Sequence, residues 1–288
     1  MLRIARKALW VLLPLVLLVK PVQAEEAVAM VTDLSGEATL SDAGSREQLQ
    51  VLDYLSPGAQ IDVHKGGRVV VTFFAGSAEL TLTGPASAKV GPDGLQVLSG
   101  APAVAHKLAQ DDAVAVRKFS AMQREKLAQA TFEMRGARPG LRLIGPIDTR
   151  VSSLTPEFEW SAPHEAKTFS FRLMESGKTL RDLETRKSRW RVAAPSLLKY
   201  GHAYVWKVQT HLASGEILSA SGSFSILGKD KAKAIAAARP PAGADFSARL
   251  LYAMKLETLG LKYEARRAWK TLAIERPNAP ALHEQAVQ

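Results

Sequence analysis

Apolar and polar residues alternate with a period of two through much of the N-terminal third of the chain. Residues 68–74 are mainly β-branched and aromatic, and residues 78–83 alternate strictly, with the three apolar side chains on one face. Because successive side chains of a strand point to opposite faces, this pattern predicts two strands. Ala75-Gly-Ser between them has the composition of a hairpin turn, so an antiparallel hairpin organises this region.

Further short strands, punctuated by glycine and proline, surround the hairpin. The turn signals include Ser56-Pro-Gly, Gly84-Pro and Pro92-Asp-Gly. Many short strands at this spacing are typical of a small all-β domain, either a barrel or a sandwich, which we place at residues 25–105. The additional strands are predicted at residues 27–34, 37–40, 49–52 and 61–63 and in two short runs after the Gly84-Pro turn.

The same alternation returns between residues 141 and 228. Turn-like segments at residues 161–163, 175–177 and 213–215 separate several of the alternating runs. The pattern predicts a second antiparallel β domain. Its strands are predicted at residues 158–160, 169–173, 190–192, 204–208 and 222–226.

Three other segments have a different pattern. In residues 106–140, apolar residues recur at roughly helical spacing until glycine and proline end the run, which predicts a linker helix. Residues 229–244 are rich in lysine and alanine and then in proline, and we predict a linker. Residues 245–288 carry two apolar stripes separated by Gly260 and ended by Pro277, which predicts a helical pair. The chain is therefore predicted to be multidomain and mainly β: two small antiparallel β domains (barrel or sandwich) joined by a linker helix, plus a C-terminal α-hairpin.

The first 24 residues have the pattern of a secretory signal peptide. Arg3, Arg6 and Lys7 precede an apolar run at residues 8–19, and Val22-Gln-Ala is a small-residue cleavage site. The run is short of the roughly 18–20 residues that a membrane span needs, although a membrane anchor is the alternative. We predict cleavage, a periplasmic location and no stable membrane span in the mature chain. Because the chain has no cysteine, its domains must hold without disulfides.

Charge is distributed unevenly along the chain, which carries +10 overall. Residues 25–105 hold ten acidic and four basic residues, whereas residues 106–288 hold 18 acidic and 30 basic ones. The basic part either favours anionic partners, such as lipid headgroups, polyanionic glycans or acidic proteins, or consists of solvated faces. Nucleic acid is not expected as a partner of an exported chain that has no recognised binding motif.

A basic cluster lies within the second β domain. If residues 186–191 form an edge strand, Lys187, Arg189 and Arg191 share one face. They then either seat a phosphate- or carboxylate-rich partner or protect the sheet edge against aggregation. The candidate partner-binding residues are these three together with Tyr263, Arg266 and Trp269 of the helical pair.

The order of turns and strands in the first β domain also carries a family resemblance. The matching motifs are Ser35-Gly-Glu, Leu55-Ser-Pro-Gly, Ile61-x-Val63, Phe74-x-Gly-Ser and Leu80-x-Leu82. This order resembles the periplasmic FecR-type domain, although Ala75 stands where that family typically has aspartate. The resemblance implies a periplasmic binding or scaffolding module.

Two further resemblances concern the remainder of the chain. Pro156-x-Phe158-x-Trp160 and the segment from Leu198 to Val208 match core positions of a fibronectin type III-like sandwich, which implies that Trp160, Tyr204 and Trp206 are core and corner residues. An aromatic sugar-binding platform is the alternative. The helical pair resembles one tetratricopeptide repeat, and a lone repeat must pack on another surface because it cannot bury a continuous core. The matching residues are Ala253, Gly260, Ala265, Trp269, Leu272 and Pro277.

Motifs that carry catalytic chemistry are absent from the sequence. It has no Gly-x-Ser-x-Gly elbow, no phosphate-binding glycine loop and no His-Glu-x-x-His pair, and its six histidines are dispersed. We predict no catalytic, metal or cofactor-binding residues. The predicted function is that of an exported, non-enzymatic binding or adaptor protein that mediates protein–protein interactions in the bacterial cell envelope. The alternatives are a cell-wall or glycan-binding protein that uses the sandwich, and a hydrolase with a dispersed site.

Overall fold

The computed structural model describes residues 26–76, 78–129 and 140–287. The predicted signal peptide, Ser77 of the predicted hairpin turn and the end of the predicted linker helix lie outside these ranges. The described chain is mainly β, with four sheets that are antiparallel apart from one strand pair, and with five α-helices.

Two five-stranded sheets form the first sandwich, in the orders β10-β7-β6-β1-β4 and β3-β2-β5-β8-β9. Val31 and Phe73 of the first sheet and Ile61 and Ala88 of the second belong to one buried cluster, so the sheets pack face to face. Of the barrel and the sandwich that the pattern allowed, the structure has the sandwich. Its strands are β1 (Ala29–Ser35), β2 (Ala38–Asp42), β3 (Ser45–Gln48), β4 (Tyr54–Leu55), β5 (Gln60–Val63), β6 (Arg68–Phe73), β7 (Ala78–Thr83), β8 (Ala86–Val90), β9 (Leu95–Ser99) and β10 (Val104–Lys107).

The predicted hairpin is present as β6 and β7, which pair with Thr72 opposite Glu79. The strand predicted at residues 49–52 is wrong. These residues form a turn, in which the Gln50 amide donates to the Asp53 carboxylate at 2.6 Å and Leu52 has a positive φ of 74°. The apolar side chains that suggested a strand are buried by other elements instead.

The second sandwich has a three-stranded sheet, β11-β13-β16, and a five-stranded sheet, β12-β18-β17-β14-β15, in which β12 and β18 are parallel. Phe158 of the small sheet lies 5.1 Å from both Phe171 and Trp206 of the large one, measured between ring centroids. An aromatic core therefore joins the two sheets. The strands are β11 (Arg142–Gly145), β12 (Thr149–Val151), β13 (Glu157–Ser161), β14 (Phe169–Glu175), β15 (Lys178–Thr185), β16 (Arg189–Arg191), β17 (Ala203–His211) and β18 (Ile217–Ile226).

The helices differ from the prediction in number and in role. The predicted linker at 229–244 contains a helix, because its alanines and lysines are strong helix formers and its Ala232 and Ile235 are buried. A further helix follows the predicted pair, and the predicted linker helix packs on that pair through Phe119 and Trp269. The helices are α1 (Gln110–Gln129), α2 (Lys229–Ala237), α3 (Phe246–Thr258), α4 (Lys262–Glu275) and α5 (Pro280–Val287).

One continuous hydrophobic cluster joins the helices to the outer face of the first sandwich. Met30, Val51 and Leu52 from the sandwich are buried in it together with residues of all five helices, including Trp269. Full burial of such a side chain contributes about 1.5–3 kcal/mol, so this contact fixes the helices firmly. The predicted helical pair, α3 and α4, thus buries its apolar faces within the chain itself.

The second sandwich attaches to the helices through hydrogen bonds and through the packing of Tyr263 on Gly145. The Gly260 carbonyl, at the turn between α3 and α4, accepts bonds from the Arg150 amide and the Thr149 hydroxyl, both at 3.1 Å. Arg266 of α4 donates to the Ile144 carbonyl at 3.1 Å. Beside these bonds the two units do not close completely, and a cleft remains between them.

Candidate functional site

The candidate site is a cleft of about 560 Å³ between the second sandwich and α3 and α4. This volume falls in the range of small-molecule and peptide pockets, roughly 300–1,000 Å³. Guanidinium groups are prominent in the lining, and we call the site the basic cleft. Its charged lining residues are Glu157, Arg191, Arg239, Arg249, Glu264 and Arg267, and its apolar and aromatic ones include Pro240, Tyr252, Leu256, Tyr263, Ala268 and Leu272.

Helical and strand periodicity place these side chains in the cleft. On α4, Glu264, Arg267 and Thr271 recur at intervals of three and four residues and share one face. On the other wall, Glu157 of β13 stands directly opposite Arg191 of β16 in the antiparallel register. The cleft therefore forms where a helix face meets the edge of a sheet.

Glu157 joins the two walls. Its Oε2 accepts a hydrogen bond from Arg191 at 3.0 Å and another from Arg267 at 3.1 Å. Burial raises the pKa of the Glu157 carboxyl, but the hydrogen bond and charge of Arg191 and the charges of Arg267 and Arg189 outweigh it and hold the pKa below its ordinary value. Glu157 is therefore ionised near neutral pH.

Glu264 lies deeper in the basic cleft and is held by Ser152. The Ser152 amide donates to Glu264 Oε1 at 2.7 Å, and the hydroxyl donates to Oε2 at 2.9 Å. Desolvation by burial nevertheless raises the pKa of Glu264, against the bonds from Ser152 and the charges of Arg239 and Arg267. The two carboxyl groups of the cleft thus differ in their protonation behaviour.

Tyr263 forms part of the wall next to the sandwich. It is buried against Gly145, where any larger side chain would overlap its ring. Burial, with the charges of Glu159 and Glu157, raises the pKa of Tyr263 to about 12, although Arg267 opposes the shift. The Arg267 guanidinium lies 5.8 Å from the centroid of this ring, and this contact helps to orient the guanidinium toward Glu157.

The structure brings only part of the predicted site together. Arg191 and Tyr263 line the basic cleft. Arg189 is exposed on the same edge strand but outside the cleft, and Lys187 lies in the bend before that strand rather than on it.

Two candidates on α4 have structural contacts. Arg266 donates to the Ile144 carbonyl and so connects the helix to the sandwich. The prediction for Trp269 is wrong, because its side chain is fully buried against Phe119 and donates to Glu257 at 2.9 Å. A tryptophan in an amphipathic stripe serves the core here, where it removes the largest apolar area from water.

Five charged residues of the basic cleft were not predicted: Glu157, Arg239, Arg249, Glu264 and Arg267. The spacing of Glu264 and Arg267 on one predicted helix carried a usable signal, and so did the position of Glu157 directly before the predicted strand at 158–160. Only the meeting of β13, β16 and α4 in space shows that these residues belong to one site.

The aromatic residues of the second sandwich are structural. Trp160, Tyr204 and Trp206 are at most 2% exposed, so they form no sugar-binding platform. The Tyr204 hydroxyl accepts a bond from the Lys199 amide at 2.8 Å, and Trp206 Nε1 donates to the Pro146 carbonyl at 2.7 Å. A tyrosine bonded to backbone a few residues upstream is the corner motif of such sandwiches, so the prediction of core and corner residues is confirmed.

Carboxyl groups with pKa values shifted in opposite directions are a feature of acid–base catalysts, but other features of the cleft favour binding. Glu157 is held between two guanidinium groups, and Glu264 is held by Ser152. Guanidinium groups next to apolar walls suit recognition of an anionic partner.

Comparisons with known proteins show resemblance only at the level of β modules. No family model and no curated protein sequence matches the chain. Among solved structures, CopC from Methylosinus trichosporium OB3b is 18% identical, matches 31% of this chain and 94% of its own, and has a TM-score of 0.24. The fibronectin(III)-like modules of CbhA from Clostridium thermocellum are 8% identical over 71% of this chain and 83% of theirs, with a TM-score of 0.24. A β-1,2-glucanase from Parabacteroides distasonis is 9% identical over 86% of this chain and 48% of its own, also at 0.24.

Scores this low carry no argument about function, and the FecR-type and tetratricopeptide resemblances stay predictions. Within the part of the chain that the structure describes, no helix combines the length and apolarity needed to cross a membrane.

Proposed function

We propose that this chain is an exported, non-enzymatic adaptor of the bacterial cell envelope that binds another protein through the basic cleft. One observation carries the proposal: Arg191 of the sandwich and Arg267 of α4 meet on Glu157, so two units build one charged cleft. Sites at the junction of two units are common places for binding, because both walls contribute contacts. The predicted signal peptide supports a periplasmic location.

A photo-cross-linking amino acid at Thr271, which is exposed in the basic cleft, tests this proposal in cells. The same amino acid at Gln96, exposed on β9 of the first sandwich, is the positional control. We expect a discrete protein adduct from position 271 and none from position 96. Arg267→Glu should abolish the adduct because it reverses the charge of the cleft wall, whereas Arg181→Glu, on β15 of the same sandwich and outside the cleft, should leave it unchanged.

Three results would contradict the proposal. An adduct insensitive to Arg267→Glu would place the partner elsewhere. Retention of purified protein on cell-wall material, without any protein adduct, would favour the glycan-binding alternative. Turnover of ester, peptide or glycoside substrates by purified protein would favour the hydrolase alternative.

Removing the C-terminal helices is not a usable test. The residues after Gly228 contribute most of the hydrophobic cluster that also contains Met30, Val116 and Phe119. A chain cut there would expose this apolar surface and lose structure well beyond the basic cleft. Single substitutions of exposed lining residues keep the core intact.

A further inference from the structure

The basic cleft holds more positive charge than its own carboxylates neutralise. Arg191 and Arg267 share a single oxygen of Glu157. Each guanidinium has five N–H donors in a planar fork, so both keep donors that Glu157 does not use. Half of the Arg267 side chain and 60% of that of Arg191 are exposed, which leaves these donors accessible from the cleft.

Arg239 adds a third guanidinium on the opposite rim, after α2. Its side chain has no hydrogen-bond partner among residues 26–76, 78–129 and 140–287, and its positive charge acts to lower the pKa of Glu264. Glu264 is already engaged by both donors of Ser152. Three guanidinium groups, those of Arg191, Arg239 and Arg267, thus accompany two carboxylates that already accept hydrogen bonds within the protein. Counted in this way, the cleft has an excess of one positive charge.

The remaining arginine of the lining does not change this balance. Arg249 forms a forked pair with Glu275, with its Nη2 at 2.8 Å from Oε1. The hydrogen bonds that Arg249 donates to Glu275 raise the pKa of Arg249 and lower the pKa of Glu275. Such bidentate pairs are satisfied within the protein and have little reason to open for a ligand.

An apolar surface accompanies the charged one. Tyr252 and Leu256 of α3 and Ala268 and Leu272 of α4 line the same cleft as the arginines, together with Pro240. From Glu264 to Leu272 the lining extends over about two turns, or roughly 12 Å, along α4. An extended peptide rises about 3.3 Å per residue, so three or four of its residues fit along this length.

We infer that the basic cleft binds an extended segment of a partner protein in which an Asp or Glu side chain stands next to apolar residues. A single carboxylate matches the one excess positive charge, whereas a doubly charged phosphate would be repelled by Glu157 and Glu264. The neighbouring apolar residues of the segment lie against Tyr252, Leu256 and Leu272. This inference rests on the proposed function, because it specifies the chemistry of the protein partner.

Matched synthetic peptides test the inference with the full chain. The probe is acetyl-Ala-Leu-Glu-Leu-Ala-amide, and its control has glutamine in place of the glutamate; a parallel set replaces both leucines with valine or phenylalanine. Calorimetric titration should show the glutamate peptides binding at least about tenfold more tightly, because a charge-assisted hydrogen bond is stronger than the neutral one that glutamine can form. Raised salt should reduce the difference.

Protein variants locate the binding site. Arg239→Gln and Arg267→Gln should each weaken binding of the glutamate peptides about tenfold and leave the glutamine peptides unaffected. Arg181→Gln, exposed on β15 of the same sandwich and outside the cleft, should change neither. Both cleft arginines are exposed, so unfolding midpoints close to that of the parent chain will show that the variants fold.

Four outcomes would overturn the inference. The first is equal affinity for glutamate and glutamine peptides, and the second is no binding by any peptide of the set. The third is that glutamine peptides with a free C-terminus bind as tightly as the glutamate peptides. The fourth is that inorganic phosphate displaces the glutamate peptide at a concentration similar to that of the peptide. None of them bears on the cross-linking result, which depends on the natural partner. An adaptor with a different ligand chemistry is therefore distinguishable from a chain that is no adaptor.

Discussion

The helices meet the two sandwiches in different ways. Toward the first sandwich they share one hydrophobic cluster, into which the sandwich contributes Met30, Val51 and Leu52. Toward the second sandwich the contacts include hydrogen bonds, such as those that the Gly260 carbonyl accepts, and the packing of Tyr263 on Gly145. Burial of apolar area is non-directional and strong, so the first interface has a continuous core, and a cleft of about 460 Å³ lies beside that core between residues 48–51 and 275–279. Hydrogen bonds fix only the groups that make them, and the larger basic cleft lies beside the bonds of the second interface.

Similar ion pairs have different surroundings at the two interfaces. At the first, the nearly buried Asp33 accepts bonds from Arg68 at 2.9 Å and Arg276 at 3.3 Å, and Arg276 also lies over the Phe246 ring. At the second, Glu157 accepts bonds from two arginines that are at least half exposed. Asp33 therefore has a structural role, because apolar residues enclose it. Glu157 and its two arginines remain accessible to solvent, so they are candidates for recognition of a partner.

Trp269→Ala should have the largest effect, because it removes the residue at the centre of the first interface. The side chain is fully buried and its ring centroid lies 5.6 Å from that of Phe119. We expect the free energy of unfolding to fall by about 3–5 kcal/mol, from lost burial and the cavity left behind. Urea denaturation followed by far-UV circular dichroism measures this change.

Ile274→Ala on the same helix is the matched control. This side chain is 81% exposed, and its loss should change the free energy of unfolding by no more than about 0.5 kcal/mol. A similar loss for both variants would show that α4 contributes little to the core, and the contrast between the two interfaces would fail.

Gly145→Ala should weaken the second interface and leave the first intact. An added methyl group would overlap the buried Tyr263 ring, so α4 must shift away from the sandwich. We expect a loss of about 1–3 kcal/mol, as for overpacked sites. Hydrogen exchange should accelerate at the Arg150 amide, which donates to Gly260 across this interface.

Gly140→Ala is the control for this substitution, since no atom of residues 26–76, 78–129 and 140–287 lies within 4 Å of the position that its methyl group would occupy. It should leave both stability and exchange unchanged. If Gly145→Ala also leaves the hydrogen-exchange rate of the Arg150 amide unchanged, the Tyr263 ring moves aside without destabilising the interface. The contact between Tyr263 and Gly145 then does not fix the second interface.

The smallest expected effect is on the pH dependence of the free energy of unfolding. It can be compared between one buried glutamate at each interface, Glu79 at the first and Glu264 at the second. Burial raises the pKa of Glu79, which accepts a bond from Thr32 at 3.1 Å, and that of Glu264, which Ser152 holds. A carboxyl whose pKa is raised by folding takes up its proton more readily in the folded state. Its stabilising contribution is complete below the ordinary glutamate pKa and is lost as pH rises through the raised value.

Glu79→Gln and Glu264→Gln should therefore each flatten the dependence of the free energy of unfolding on pH above the ordinary glutamate range. Urea denaturation at a series of pH values from about 4 to 7 measures the slope. Glu157→Gln should act in the opposite direction, because the pKa of Glu157 is held low and its contribution is lost on acidification. An unchanged slope for Glu79→Gln and Glu264→Gln would mean that water screens both carboxyl groups.

Local pattern predicted the sandwiches better than the helices. Alternation located β13, β14 and β17 because each of these strands buries one face, which imposes a period of two on the sequence. A β-branched run located β6, which is buried on both faces. The pattern failed at residues 49–52, where Val51 and Leu52 of a turn are buried against the helices, and at residues 229–244, where a lysine- and alanine-rich segment forms a short helix. Burial by a distant element leaves no periodic signal.

The sequence by itself determined the mainly β character of the chain, most strand positions, the helical pair and the uneven charge, because these follow from residue type and short-range spacing. Only the tertiary structure decided that Trp269 is core and that Arg191, Glu157 and Arg267 form one site. Glu157 and Arg267 are 110 positions apart in the sequence. Contacts at that separation depend on how the sandwich docks on α4, and docking is set by hydrogen bonds and shape that no local pattern encodes.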